Sequence, residues 1–300
     1  MAAYVLIVFG SHVRVSESGM GCPDWPLCSG QIGPIYEFHA LMEQTHRYLA
    51  AIVTILAFLT VLLAVLGRAR RPAAVRPAVF TASIIIVQIA LGAVTVWAGN
   101  AAPTVAAHLI AGVAMLIGAT VTGVCALVPA HAARPGSPRL GQVGWLALGT
   151  GGVLFISGSL VVNAGAEQAC STFPLCPQGQ PIEYVWPHLV HRGIAMVAGL
   201  ALLMFAMHAW QSWSAVRGAR RLAATLAAVV VATAAFGLFS ALLMAPPVLQ
   251  NLHLAGASAV LAVATALATL GWLTGADWPQ AGPGNAEPAK GQPATSAARR

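Results

Sequence analysis

Apolar runs of about 20 residues follow one another along the chain as far as residue 274, separated by short polar links. A run of that length crosses a bilayer core as a single helix. The pattern predicts helical spans at 1–14, 42–66, 78–98, 104–128, 143–163, 187–210, 222–245 and 252–274. The fold class that follows is an all-α membrane protein with eight transmembrane helices. The first span is short, because only MAAYVLIVFG precedes the polar stretch SHVRVSES. It has neither a basic leading region nor a small-residue cleavage site, so it does not read as a signal peptide, and a truncated or misassigned start is the expectation. After residue 275 the chain is rich in Pro, Gly and Ala without periodicity, which predicts a disordered tail.

The polar links alternate in character. Arg68, Arg70, Arg71 and Arg76 fill the first basic link, Arg134 and Arg139 the second, and Arg217, Arg220 and Arg221 the third. Such clusters between apolar runs mark cytoplasmic loops. The intervening links hold Glu17, Asp24 and Glu37, then Glu167 and Glu183, and four of the five cysteines. They belong outside the cell membrane, where disulfides persist. Composition agrees: 58% of residues are hydrophobic and only 8% charged, against roughly a quarter charged in soluble domains. The formal charge of +7 therefore reads as topology signal and not as a nucleic-acid-binding face.

Two of the outer links repeat each other. CPDWPLC at 22–28 returns as CSTFPLC at 170–176, and the alignment extends upstream, GSHVRVSESGMGC (10–22) matching GSLVVNAGAEQAC (158–170) at an offset of 148. Downstream the offset becomes 145 and pairs His46–Arg47 with His191–Arg192, and His108 with His253. The change of three residues falls in the outer loop, where length changes are tolerated. The chain thus divides into two duplicated four-helix bundles, 1–128 and 143–274, joined by a cytoplasmic linker at 129–142 and followed by the tail 275–300. An even number of spans gives both halves the same orientation.

The four repeated histidines each lie about one turn inside the outer end of their helix, at a common depth set by a rise of ~1.5 Å per residue. Polar side chains inside membrane spans are costly and mark functional sites. Imidazoles paired across a bundle, with no cysteine or carboxylate completing a tetrahedral set, suit bis-histidine haem ligation better than zinc. The bland reading is that each histidine bonds a neighbouring helix; fourfold recurrence at matched spacing favours haem. Arg47 and Arg192, next to ligand histidines, either meet haem propionates or extend to the headgroups. Glu43 stands three residues before His46, on the same helix face, where its counterpart is His188. It either serves proton transfer beside the haem or is an interfacial glutamate facing water. His12, His39, His131 and His208 are read as solvated or interfacial, and Cys125 as a core cysteine.

These elements together resemble the haem A synthase family: GSHVRVSESGMGCPDWPLCSGQ, the EQTHR of the second span, the HR of the sixth, and single histidines in the fourth and eighth. The resemblance covers residues 1–274 and implies oxidation of the C8 methyl of haem O, through hydroxylation, to the formyl group of haem A for cytochrome oxidase assembly. It implies that His46 and His108 hold the substrate haem with Glu43 assisting catalysis, and that His191 and His253 ligate a haem b iron as cofactor, with Arg47 and Arg192 alongside. It also implies disulfides Cys22–Cys28 and Cys170–Cys176. The implied setting is a bacterial inner or plasma membrane, with haem O and lipid as partners. The prenyl transferase that makes haem O, an electron donor and a second copy of the chain are further candidates.

Other classes explain less. A dihaem electron-transfer protein needs the same histidines but gives no reason for Glu43. A membrane thiol-disulfide oxidoreductase uses the cysteines but not the histidines. A prenyl transferase needs Asp-rich motifs for magnesium diphosphate, and the only aspartates are Asp24 and Asp277. A pure transporter gives no role to the histidine pairs.

Overall fold

The structure is a computed structural model describing residues 1–128, 138–213, 216 and 218–274, with the backbone alone for 138–145 and 147. His131, Arg134, Arg217, linker residues 129–137 and the tail 275–300 lie outside the described residues, and Arg139 is described only in its backbone. The described residues form eight α-helices: α1 (Ala2–Val15), α2 (Phe38–Leu66), α3 (Val75–Trp97), α4 (Ala102–Leu127), α5 (Pro138–Asn163), α6 (Ile182–Ser212), α7 (Ala219–Leu242) and α8 (Pro247–Thr274). No strand forms among the described residues. Six of the helices, α2 to α4 and α6 to α8, are long and apolar enough to cross a membrane. The protein is therefore an integral membrane protein.

Several helices start earlier than hydropathy predicts. Hydropathy marks where the bilayer begins, whereas the hydrogen-bonded helix continues into the polar region. At the start of α2 the Glu37 carboxylate accepts the Ala40 N–H at 2.8 Å, which satisfies one of the helix's free donors. In α6 the second-turn Pro187 forfeits one backbone bond, and the helix runs through it from Ile182. The end of α7 comes earlier than predicted, at Leu242, because Met244 and Ala245 take left-handed conformations (φ 60° and 56°). Gly99 and Asn100 do the same between α3 and α4, at φ 59° and 57°.

The helices pack in two rings. In each, sequence neighbours lie side by side and the first closes on the last: α1–α2–α3–α4 and α5–α6–α7–α8. The diagonal pairs α2 and α4, and α6 and α8, make little direct contact. The rings join through α1 and α4 against α8, and α4 against α5. There Tyr4 Oη donates to the Ala255 carbonyl at 3.2 Å. At the end of α1 Arg14 bonds Gln250 at 2.9 Å and pairs with Glu167 at 3.6 Å. Ile55, Leu62 and Leu63 on α2, and Met196, Leu200 and Met204 on α6, face outward. In a bilayer such a face is covered by lipid tails.

Candidate functional site

Each of the four predicted histidines is seated on a glycine of the preceding helix. A Cβ built on Gly10 of α1 would stand 2.9 Å from Cε1 of His46 on α2, and one on Gly158 of α5 would stand 3.2 Å from Cε1 of His191 on α6. The same arrangement recurs with Gly92 under His108 (3.6 Å) and Gly237 under His253 (2.6 Å). Gly92 and Gly237 are 145 residues apart, the offset that relates their histidines. The missing side chain lets the ring edge lie against the helix backbone, and this turns the ring toward the middle of the bundle.

His191 and His253 are brought together across their ring of helices. Their ring centres are 6.2 Å apart and their planes 87° apart. Both have Nδ1 committed. Nδ1 of His253 donates to the Thr233 carbonyl at 2.9 Å, since a carbonyl can only accept. Nδ1 of His191 contacts Ser157 Oγ at 2.9 Å. Ser157 also donates its one hydroxyl proton to the Leu154 carbonyl at 2.8 Å, so its oxygen accepts from His191. In both rings Nε2 then carries the free lone pair, the state in which imidazole ligates a metal.

The other pair differs. His46 on α2 and His108 on α4 occupy the positions in the first ring that His191 and His253 occupy in the second. Nδ1 of His46 is buried without a hydrogen-bond partner among the described residues, whereas His108 lies beside the backbone of Gln88, the counterpart of Thr233 at the offset of 145. Phe9 occupies the place that corresponds to Ser157, one residue before the seating glycine, and its ring lies nearly parallel to His46 at 9° with centres 6.5 Å apart.

A cavity of ≈ 570 Å³ is lined mainly by α5, α6, α7 and α8, including His188, His191, Arg192 and His253, and is completed by Leu109 of α4, Arg14 of α1 and Glu167. The volume lies within the range of cofactor pockets. Among the described residues no group of three or more His, Cys, Asp or Glu side chains converges to hold a metal ion. The histidine pairs therefore offer two ligands each and leave the remaining positions to whatever they bind.

The loops between α1 and α2 and between α5 and α6 are each closed by a disulfide, Cys22–Cys28 and Cys170–Cys176, with Cα atoms 4.7 and 4.6 Å apart. The arginines beside the histidines hold these loops. Arg47 Nη1 donates to the Asp24 carbonyl at 2.7 Å and also to those of Leu27 and Pro26. Arg192 donates to the carbonyls of Thr172 at 2.8 Å, Pro174 at 2.9 Å and Cys170 at 2.9 Å. Thr172 and Pro174 are the counterparts of Asp24 and Pro26 at the offset of 148. The planar guanidinium suits this work, because it presents several donors in one fixed fork.

Glu43 is buried, at 5% exposure, which removes the reading of an interfacial residue facing water. One carboxylate oxygen accepts the Cys22 N–H at 2.8 Å and the other pairs with Arg47 at 2.5 Å. The carboxylate thus ties the disulfide loop to α2. Its counterpart His188 contacts the Ala166 carbonyl through Nε2 at 2.6 Å. Cys125 is buried and free. His39 contacts Ser18 at 3.0 Å and His208 contacts Ser212 at 3.4 Å, both away from the histidine pairs.

Sequence reasoning did not single out Gly92, Gly237, Ser157 or Gln44. Gln44 braces the first loop by accepting from the Ile35 N–H at 3.1 Å and donating to the carbonyls of Gly33 at 2.7 Å and Ile32 at 3.2 Å. The signal for the glycines was present in their shared offset with the histidines. For Ser157 and Gln44 residue type carried no such mark.

Residues 1–265 match the COX15-CtaA family of cytochrome oxidase assembly proteins. The chain is 29% identical over 250 residues to the heme A synthase of Symbiobacterium thermophilum, covering 77% of this chain and 81% of that protein. It is 26% identical over 224 residues to the heme A synthase of Bacillus licheniformis, covering 70% and 72% of the two chains. A 169-residue stretch is 34% identical to the heme A synthase of Rhodospirillum centenum, covering 51% of this chain and 44% of that one. With nearly all of its helical region matched, this chain belongs to the COX15-CtaA family of cytochrome oxidase assembly proteins.

Proposed function

We propose that this protein is a haem A synthase, an enzyme that oxidises the C8 methyl group of haem O through hydroxylation to a formyl group. The heme A synthase relatives support this reading, and the observation that carries it is the geometry of His191 and His253. Metal–imidazole bonds of about 2.0 Å, with about 1.1 Å from nitrogen to ring centre, put two opposed imidazoles about 6 Å apart. The observed separation is 6.2 Å, and both Nε2 atoms are free. A pair of histidines without further protein ligands fits a metal that brings its own four equatorial nitrogens, as haem does.

The chain acts as two duplicated four-helix bundles of eight membrane-crossing helices. The half at 1–128 takes haem O between His46 and His108, and the half at 143–274 keeps haem b between His191 and His253. Haem b bound there supplies an iron that accepts and passes on single electrons. Arg192 uses three of its five N–H donors on loop carbonyls. Arg192 also lines the cavity, where its remaining donors are available to a propionate, whereas Arg47 is engaged by Glu43 as well as by its loop. Glu43 assists catalysis by holding the loop over the substrate site, through the Cys22 N–H and Arg47.

The cysteine loops lie outside the cell membrane, consistent with their disulfides. Arg68, Arg70, Arg71, Arg220 and Arg221 lie at the opposite, cytoplasmic ends of their helices. Haem O arrives through the lipid from the prenyl transferase that makes it, and an electron donor and a second copy of the chain complete the set of partners.

The test is expression in cells that make haem O but no haem A, followed by chromatography of extracted haems. Appearance of hydroxylated and formyl haem supports the proposal. Unchanged haem O beside a folded protein carrying two redox-active haems would favour simple electron transfer instead.

A further inference from the structure

The two histidine pairs are built on the same frame yet differ at one matched position. Gly10 and Gly158 seat His46 and His191 in the same way. The residue before each glycine is Phe9 in one half and Ser157 in the other. Ser157 is buried, and its hydroxyl bridges His191 Nδ1 to the Leu154 carbonyl. Phe9 brings no polar atom, and His46 Nδ1 is buried without a partner.

We propose that this position decides which half keeps its haem: Ser157 makes His191 a retaining ligand, and Phe9 leaves His46 a releasing one. The inference rests on the haem-binding reading above and deepens it. A hydrogen bond from Nδ1–H to Ser157 Oγ fixes the tautomer with Nε2 free and restrains rotation of the ring. It also increases electron donation from Nε2 to the metal. His46 has no such tether. Its ring can turn, and its proton can sit on either nitrogen, so part of the population does not present a lone pair. A site that must take in a substrate haem and let a product haem go needs this weaker hold, and a site that keeps a cofactor needs the stronger one. Ser157 is thus a positioning residue acting through His191.

The test follows haem loss from the purified full-length protein in detergent, with excess apomyoglobin as acceptor. The redox potential of the bound haem is measured alongside. Ser157→Ala should release haem about tenfold faster, the lower end for loss of a partner behind a metal ligand, and raise the potential of the haem by removing electron donation. Ser157→Thr, which keeps the hydroxyl, should restore both. Phe9→Ser should act in the opposite sense and slow the loss of haem O loaded on the His46 side. Release rate and potential unchanged in Ser157→Ala would overturn the proposal, as would failure of Ser157→Thr to restore them. Should Ser157→Ala not fold, an unchanged off-rate in Phe9→Ser overturns it independently. Wild-type protein with no haem to lose would instead remove the haem-binding reading itself.

Discussion

His253 lies with its Cε1 edge against Gly237, where a Cβ would stand only 2.6 Å away and 2.9 Å from Nδ1. The matched glycine, Gly92, has the looser distance of 3.6 Å to His108. Gly237→Ala must therefore displace the imidazole or the helix, whereas Gly92→Ala adds an ordinary contact. Overpacking of this kind costs about 1–3 kcal/mol. Gly237→Ala is expected to lose most of its bound haem while α-helical circular dichroism stays unchanged, and Gly92→Ala to keep it. The absorption ratio of haem to protein after purification checks both.

Glu43 and Arg47 form a buried pair that also holds the first outer loop. Removing one partner leaves the other charged and uncompensated, at a cost of about 3–5 kcal/mol. Glu43→Ala and Arg47→Ala should each lower the thermal unfolding temperature in detergent. The double variant should lose less than their sum, with a coupling of about 1–3 kcal/mol. Additive losses would separate the two residues and return Glu43 to a role directed at the haem alone.

Asp24 accepts the Gly30 N–H at 2.8 Å and the Ser29 N–H at 2.5 Å. These bonds, that of Gly30 first, hold its carboxyl below the ordinary value of 3.8. A carboxylate with a lowered folded pKa contributes its full stabilisation above the unfolded value and loses it as pH falls through the folded one. Amide-exchange protection of Ser29 and Gly30, corrected for intrinsic rates, should therefore persist down to the ordinary carboxyl value of 3.8 and fall only below it. In Asp24→Asn it should be low throughout and independent of pH.

Met244 takes φ 60° where its counterpart in the other half is Gly99 at φ 59°. A side chain in the left-handed region costs about 1–2 kcal/mol. Met244 is 48% exposed, so little packing is lost on removing it. Met244→Gly should raise the thermal unfolding temperature, an effect opposite in sign to that of most substitutions in this region.

Much of this arrangement is legible in the chain. The spans follow from hydropathy, and the correspondences of Gly10 with Gly158 and of His46 with His191 follow from the repeat. Gly99–Asn100 announces a turn by residue type, whereas Met244–Ala245 does not, and so hydropathy carries α7 three residues past its end at Leu242. The targets of Arg47 and Arg192 are backbone carbonyls, which every residue carries, so no pattern could point to them. The burial of Glu43 depends on a loop folding back over α2, a long-range contact that helix periodicity does not report. The difference between Phe9 and Ser157 becomes readable only once the seating glycines fix the register between the halves.

The most direct test of the central claim compares extracted haems from cells that make haem O and express wild-type protein, His46→Ala or His191→Ala. The account predicts hydroxylated and formyl haem with the wild type, none with His46→Ala although the purified variant still carries haem b, and a variant depleted of haem b with His191→Ala. Formyl haem produced at the wild-type level by His46→Ala, or haem O alone recovered from folded wild-type protein loaded with haem b, would contradict it.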